Sequence, residues 1–192
     1  MMTPRQQEIV DQAIAVISRR GIQALTIRNI ADGIGISEPA IYRHFASKTD
    51  VLLAILDALE HEIFGSSAVV GGGTAVATIT SHFARLFEHL EKSPDLAAVI
   101  FSDEVFMNDQ RLAARVRDLM ERSLSGMEGI IHHGQRTAEF RADVPAMELA
   151  LMMVGTIRLI VRRWHLSGFS FELADRGTNA LDSFIMLIAS PA

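Results

Sequence analysis

The amino-acid sequence predicts an all-α fold of about nine helices. Hydrophobic residues make up 49% of its 192 residues, whereas aromatic residues make up only 6%. This composition is typical of a helical core built from Ala, Leu, Ile, Val and Met. Apolar residues also recur at helical spacing along most of the chain. Together the two observations favour helices over extended β-structure.

The chain has no cysteine, which excludes a disulfide framework, a thiolate zinc site and a cysteine nucleophile. Its first residues are polar, and no uninterrupted apolar run reaches the ~18 residues needed to cross a bilayer. We therefore expect a soluble, unexported protein of the reducing cytoplasm.

The N-terminal segment predicts three short helices in succession. The first runs from Arg5 to Arg20 and ends at a glycine. Thr26 is placed to cap the second, over residues 27–34, and Gly35 can form the tight turn that follows it. Ser37 is placed to cap the third, which runs to about His44.

A fourth helix, capped by Ser47, is predicted over residues 48–64. The glycine-rich stretch Gly65 to Gly73 then indicates a link to the rest of the chain. Five further helices are predicted, at roughly Thr74 to Glu91, Pro94 to Val105, Asp109 to His133, Pro145 to Leu166 and Phe171 to Ile188.

The second and third helices have the spacing of a helix-turn-helix. Ala31, Gly35 and Ile41 are the fifth, ninth and fifteenth residues of a unit that starts at Ile27. A small residue lets the helices cross closely, a glycine permits the turn, and a buried apolar residue anchors the second helix. Such a unit can place its second helix in the DNA major groove, although a merely structural helical hairpin is the alternative.

The charge distribution is compatible with DNA binding but does not decide it. The whole chain carries a net charge of −5. Residues 1–50 hold six basic and five acidic residues, and so carry +1. A small N-terminal face can therefore meet phosphate while the rest of the chain stays acidic.

The run Ser37-Glu38-Pro39-Ala40-Ile41-Tyr42-Arg43-His44-Phe45-Ala46-Ser47-Lys48, with Leu25-Thr26-Ile27-Arg28-Asn29-Ile30-Ala31 before it, resembles the TetR family of bacterial regulators. The resemblance covers about the first 60 residues. It implies a helix-turn-helix DNA-binding domain at residues 1–50, with helix four (48–64) as connector, and a C-terminal ligand-binding and dimerisation domain at residues 51–192.

The predicted DNA-binding residues fall into two groups. Arg43, Pro39 and Ala40 are expected to face the base edges, where Arg43 can bond guanine. Thr26 and Ser37 are expected to contact phosphate from helix N-termini, and Arg28 to meet the backbone or the edge of the minor groove. The resemblance implies backbone contacts for Tyr42, His44 and Lys48. These backbone residues are Thr26, Arg28, Ser37, Tyr42, His44 and Lys48. Simple helix capping by Thr26 and Ser37, and a buried structural role for His44, are the alternatives.

The C-terminal domain offers aromatic and methionine side chains that can line an apolar pocket. A core role is the more frequent one for any single residue of this kind. The candidate pocket residues are Phe83, Phe87, Phe101, Met120, Met127, Met152 and Trp164.

The sequence predicts no catalytic site, no metal site and no cofactor. Seven histidines are present, but none form a His-x-x-x-His pair. Gly71-Gly72-Gly73 lacks the Lys and Ser/Thr of a phosphate-binding loop. An enzyme is therefore not expected.

The predicted function is DNA-binding transcriptional regulation. We expect a homodimer, formed by the last two helices, that represses from a palindromic DNA operator and is released by a small apolar or amphipathic effector. The proposed dimer contacts are Met147, Leu151, Val154, Ile157, Leu159, Ile160, Leu181, Phe184, Ile185 and Leu187. The alternative is a DNA-bound protein-interaction factor, because residues 93–96 and 109–128 resemble the nucleoid-occlusion branch of the family.

Overall fold

The computed structural model describes residues 2–64, 73–100 and 109–190. These ranges contain nine α-helices, one 3₁₀ helix at Ile22–Ala24 and no strand, which confirms the all-α prediction. Of these helices, none is both long and apolar enough to cross a membrane. The helices are α1 Pro4–Arg20, α2 Ile27–Ile34, α3 Glu38–Tyr42, α4 Lys48–Phe64, α5 Ala75–Lys92, α6 Asp95–Ile100, α7 Gln110–Arg136, α8 Ala146–Leu166 and α9 Leu173–Ile188.

Side-chain caps fix several of the helix starts. Thr3 and Gln6 form a reciprocal capping box at α1, where the Gln6 N–H donates to the Thr3 hydroxyl over 3.3 Å. Thr74 accepts from the Ala77 N–H at the start of α5 over 3.1 Å. Asp109 accepts from the Arg111 N–H at the start of α7 over 2.8 Å. The predicted helix starts are correct to within two residues because these caps are visible in the sequence.

Two predicted features reach beyond the described residues. Most of the predicted link, residues 65–72, lies outside them, as do residues 101–105 of the predicted sixth helix. The predicted seventh helix continues past His133 to Arg136. There the Glu139 and Phe140 N–H groups both bond to the Gly134 carbonyl and end it.

The first compact unit comprises Met1–Ile63 and Asp95–Asp118. Its core is apolar, and α1 packs against α2 and α6. The Ser18 hydroxyl of α1 donates to the Asp95 carboxylate of α6. Arg115, near the start of α7, forms ion pairs with Asp57 at 2.8 Å and with Glu60, both on α4. These polar contacts tie α4 to the N-terminal part of α7.

The second compact unit comprises Phe64–Pro94 and Leu119–Ala192. In it, α9 packs on both α5 and α8. Gly177 permits the closest approach, because a Cβ there would lie 2.3 Å from the Phe87 ring. The Glu139 carboxylate accepts from the Ala75 and Val76 N–H groups and so caps α5. Helices α5, α8 and α9 thus pack together around an apolar core.

Candidate nucleic-acid interface

The start of α2 is held by hydrogen bonds within the same segment. Thr26 is the N-cap residue, and its hydroxyl oxygen accepts from the Asn29 N–H over 3.0 Å. The Asn29 side chain in turn donates to the Ala24 carbonyl over 2.6 Å. Thr26 is exposed, and a hydroxyl that accepts one bond can still donate its own proton. Capping and phosphate binding by Thr26 are therefore compatible.

The turn between α2 and α3 has the geometry that the glycine spacing predicts. Gly35 ends α2 in the left-handed conformation, with φ 76° and ψ 33°. The Ile36 N–H bonds back to the Ala31 carbonyl over 3.0 Å. Ala31 and Ile41 are both buried, at 1% and 0% exposure. The three predicted residues thus hold the two helices together, as expected of a helix-turn-helix.

The start of α3 differs from the prediction in one respect. Ser37 is the N-cap residue, but its hydroxyl makes no capping hydrogen bond, so side-chain capping by Ser37 is wrong. Pro39 lies in the first turn and has no N–H to offer. The Ala40 N–H bonds instead to the Ser37 carbonyl over 2.9 Å. The exposed Ser37 hydroxyl is therefore not engaged in holding α3.

The end of α3 also differs, since the helix stops at Tyr42 rather than at about His44. The N–H groups of His44 and Phe45 both bond to the Ile41 carbonyl, over 2.8 and 3.0 Å. These two hydrogen bonds to one carbonyl form a tight turn that ends the helix. The Phe45 side chain is buried in the core. Arg43 is the C-cap residue and follows the last turn of α3.

The nine predicted DNA-binding residues are all accessible. Ala40 is half-buried, and the others are exposed. Exposed His44 contradicts the alternative of a buried structural histidine, although its carbonyl accepts from the Gln6 side chain over 3.4 Å. The exposed residues are Thr26, Arg28, Ser37, Pro39, Tyr42, Arg43, His44 and Lys48. Their contacts with DNA remain a prediction.

The basic residues of this face differ in what they contact. Arg28 lies 4.0 Å from Asp32 on the same helix, with both side chains more than two-thirds exposed. Among the described residues, the side chains of Arg43 and Lys48 form no hydrogen bond or ion pair. An exposed pair such as Arg28 and Asp32 contributes little to stability. All three cations are therefore accessible to solvent.

Polar contacts fix the first turn of α4, which carries Lys48. The Asp50 N–H donates to the Ser47 hydroxyl over 3.2 Å, and that hydroxyl donates to the Asp50 carboxylate over 2.8 Å. Arg111 of α7 pairs with the same carboxylate at 2.7 Å. The hydrogen bond from Ser47, followed by the charge and hydrogen bond of Arg111, lowers the pKa of Asp50. Ser47 therefore caps α4 as predicted.

The candidate pocket residues do not share one environment. Phe83 and Phe87 stack with ring centroids 6.2 Å apart, and both are buried. Met127 and Trp164 are also buried. Met120 and Met152 are exposed, at 48% and 55%, and Phe101 lies outside the described residues. The pocket itself remains a prediction.

One polar residue lies beside these aromatic rings. His82 packs edge-on against Phe83, with ring centroids 5.1 Å apart. Burial, and secondly the charge of Arg85, lowers its pKa below the ordinary 6.5. The imidazole is therefore neutral at neutral pH, when it can act as donor and acceptor. Its spacing on α5 gave no signal, because burial depends on the neighbouring helices.

Helices α8 and α9 expose an unusual amount of apolar surface. Met152, Leu159 and Leu166 recur every seven residues along α8 and are more than half exposed. Exposed apolar residues that recur along one helix can mark an interaction site. We call this set the α8–α9 apolar face: Leu151, Met152, Leu159 and Leu166 of α8, with Met186 and Leu187 of α9. Ile157, Ile160 and Leu181, which were also predicted as dimer contacts, lie in the core instead.

The comparisons with known proteins agree with this geometry. The model of bacterial regulatory proteins of the tetR family matches residues 9–55, and that of the YsiA-like C-terminal region matches residues 49–188. The chain belongs to the TetR family. It is a DNA-binding transcriptional regulator, and both parts of the chain are accounted for by family models.

Individual relatives separate the two predicted functions. The HTH-type transcriptional repressor KstR2 of Rhodococcus jostii (strain RHA1) is 29% identical over 97% of this chain and 92% of its own. The nucleoid occlusion factor SlmA of Actinobacillus pleuropneumoniae is 28% identical, but over only 58% of this chain and 57% of its own. The full-length match favours the regulator over the nucleoid-occlusion alternative.

A solved structure shows the same fold. FadR from Bacillus subtilis, in complex with stearoyl-CoA, matches with a TM-score of 0.79 at 20% identity. The match covers 93% of this chain and 97% of FadR. FadR and this chain therefore share an all-helical fold.

Proposed function

We propose that this TetR-family regulator represses transcription as a homodimer bound to a palindromic operator. The observation that carries the proposal is a set of exposed side chains on and beside α3 that have no partner within the described part of the chain, namely Ser37, Tyr42, Arg43 and Lys48. A rigid helix-turn-helix presents them together, as direct reading of the major groove requires.

The side chains divide the work of recognition. Arg43 follows the last turn of α3, and its guanidinium can donate two hydrogen bonds to a guanine. Pro39 and Ala40 lie one turn earlier and can pack against a thymine methyl. Thr26, Ser37 and Lys48 lie at helix starts, where hydroxyl and ammonium donors meet phosphate. Arg43 thus specifies sequence, and the donors at the helix starts position the protein.

Dimerisation supplies the affinity that one head lacks. Residues 1–50 carry a net charge of only +1, and the first residue of α3 is the exposed acid Glu38. The electrostatic attraction between DNA phosphates and a single copy is therefore weak. The α8–α9 apolar face gives a second copy a surface to cover. Gly155 lies on the exposed side of α8, and, apart from its chain neighbours and the nearby backbone of its own helix, no atom of the described residues lies within 4 Å of where its Cβ would be. Two such faces form an isologous four-helix contact.

The effector is an apolar or amphipathic small molecule bound by the C-terminal unit. Support comes from the aromatic and methionine residues buried there, including Phe83, Phe87 and Met127, and from the stearoyl-CoA complex of FadR. Binding shifts the dimer to a state that fits the operator poorly, with a coupling equal to the effector's preference for that state.

The DNA proposal is tested by selecting preferred sites from a pool of random-sequence duplexes, followed by gel-shift titration. Arg43→Ala should relax the preference at one base position in each half-site by ~1–3 kcal/mol. Lys48→Ala should weaken binding to all duplexes alike and lower the slope of log affinity against log salt by about 1. Arg20→Ala removes the same charge at the far end of α1 and serves as the matched control.

An unchanged site preference in Arg43→Ala would overturn the base-reading role. Stearoyl-CoA, added as a probe to the wild-type complex, should release the selected duplex and raise the Tm of the protein. No release and no Tm shift would reject this ligand class and leave DNA binding standing.

A further inference from the structure

A groove between α8 and α9 is lined by four charged residues. It has a volume of about 630 Å³, and its charged residues are exposed to solvent. Arg163 of α8 and Arg176 of α9 supply two positive charges, and Glu172 and Asp175 supply two negative ones. Among the described residues, none of these four side chains forms a hydrogen bond or ion pair.

The spacing of Glu172 and Arg176 would allow an ion pair within the protomer, yet these two side chains form none within the described residues. Glu172 and Arg176 stand four residues apart at the start of α9, with the acid on the N-terminal side. This is the favourable order for an ion pair within a helix. All four charged side chains are therefore available to bind a partner that carries both positive and negative charges.

The groove is continuous with the α8–α9 apolar face. Thr156 and Arg163 of the groove lie four residues beyond Met152 and Leu159 of that face, and so on the same side of α8. Along α9, Asn179 of the groove lies seven residues before Met186. Along α8, the polar and charged residues of the groove therefore alternate with the exposed leucines and methionine of the apolar face.

We propose that these four charges set the register and the partner choice of the dimer, with the arginines of one protomer facing the acids of a second copy of this chain. The inference rests on the proposed homodimer. An isologous contact places a surface against itself, and this groove, with two charges of each sign, is complementary to itself.

Desolvation selects this register over its alternatives. A register that set Arg163 and Asp175 against Met186 and Leu187 of the second copy would leave charges buried without partners. That register is penalised, whereas one that sets the four charges against the same four of the second copy lets opposite charges pair. A small zwitterion fits the groove less well, because ligand sites enclose most of their ligand and this groove is open.

The test is a charge-swap experiment on the full chain. Arg163→Glu with Arg176→Glu makes all four charges negative, and Glu172→Lys with Asp175→Lys makes them all positive. Each double variant should self-associate at least about tenfold more weakly than wild type in sedimentation equilibrium, because like charges now meet. An equimolar mixture should form heterodimers well above the statistical half, as counted by native mass spectrometry.

Several controls keep the outcomes distinct. Glu88→Lys with Lys92→Glu reverses an exposed ion pair on α5 and should leave association unchanged. Lysines at the start of α9 oppose the helix dipole, but this penalty is equal in the homodimer and the heterodimer. The heterodimer fraction therefore reports pairing alone. Raising the salt concentration should bring the heterodimer fraction back towards one half.

Wild-type association by both variants, with statistical mixing, would overturn the proposal while leaving the dimer itself intact. Failure of Leu159→Glu to produce monomers would instead reject the dimer face of the proposed function. Phosphocholine serves as the zwitterion probe. A Tm increase with phosphocholine in wild type, absent from both double variants that still dimerise normally, would assign the groove to a small ligand and overturn the proposal.

Discussion

The helix-turn-helix and the α8–α9 pair expose opposite kinds of surface. The first presents hydroxyl, guanidinium and ammonium groups within a 23-residue segment, 26–48. The second presents leucines and methionines from two helices, with Met152 and Leu187 far apart in the sequence. The polar face is suited to a charged, hydrated polymer, and the apolar face to another protein surface. The comparison shows that a DNA-binding surface can be built from one short segment of the sequence. A dimerisation surface depends instead on which apolar side chains remain exposed after the helices have packed.

The largest effect is expected where the apolar face is broken. Leu159→Glu replaces a leucine that is 58% exposed in the protomer. Two leucines, one from each copy, lose their burial at the two-fold contact, and two carboxylates approach each other there. We expect a loss of ~3 kcal/mol or more, or at least about 100-fold in the dimer dissociation constant. Sedimentation equilibrium measures this directly, and gel shift should show a parallel loss of operator affinity.

The control for that variant is Ala77→Glu, which adds the same charge at an exposed position on α5. It should dimerise as wild type does. A dimeric Leu159→Glu protein would mean that the apolar face serves another purpose, and the contrast drawn above would fail.

An intermediate effect is expected in the helix-turn-helix, from a change that leaves its polar face untouched. Ala31 is 1% exposed between α2 and α3, so Ala31→Leu overpacks the crossing and costs ~1–3 kcal/mol. DNA binding should fall sharply because the two helices shift, whereas dimerisation should persist. Circular dichroism gives the Tm and sedimentation the oligomeric state.

Ala15 provides a matched alanine on α1 that is only half-buried. Ala15→Leu should change both the Tm and DNA binding much less. Equal losses of Tm and DNA binding in the two variants would show that close packing of α2 and α3 at Ala31 has no particular effect on DNA binding.

The smallest effect concerns the cap that positions Lys48. The pKa of Asp50 lies below its ordinary value of 3.8, so its stabilising contribution is complete above about pH 4 and is lost as the pH falls through the folded-state pKa. Asp50→Asn should lower the Tm by only about 1–3 °C at pH 7. The difference from wild type should shrink below pH 4 in thermal melts.

Asp143 is a useful comparison because Arg141 likewise lowers its pKa, but the pair is confined to an exposed loop. Asp143→Asn should leave DNA binding unaffected. A Tm difference in Asp50→Asn that stays constant from pH 7 to pH 2.5 would contradict the assigned cause.

The sequence by itself determined the helices and the recognition unit. Caps such as Thr26, Ser47 and Thr74, and turns such as Gly35, act between residues a few positions apart, so their patterns specify structure locally. The family resemblance was confined to the same kind of short-range segment. For this reason the fold and the helix-turn-helix residues agree with the structure almost throughout.

Only the tertiary structure decided which apolar residues face outwards. Helix α8 is apolar on most of its surface, so its periodicity cannot distinguish Ile157, which enters the core, from Leu159, which does not. In the same way, Pro39 and the Ser37 carbonyl displaced the expected side-chain cap. Burial and unpaired charge are properties of the surroundings that distant segments create, and the physical reason is that packing acts between residues remote in sequence.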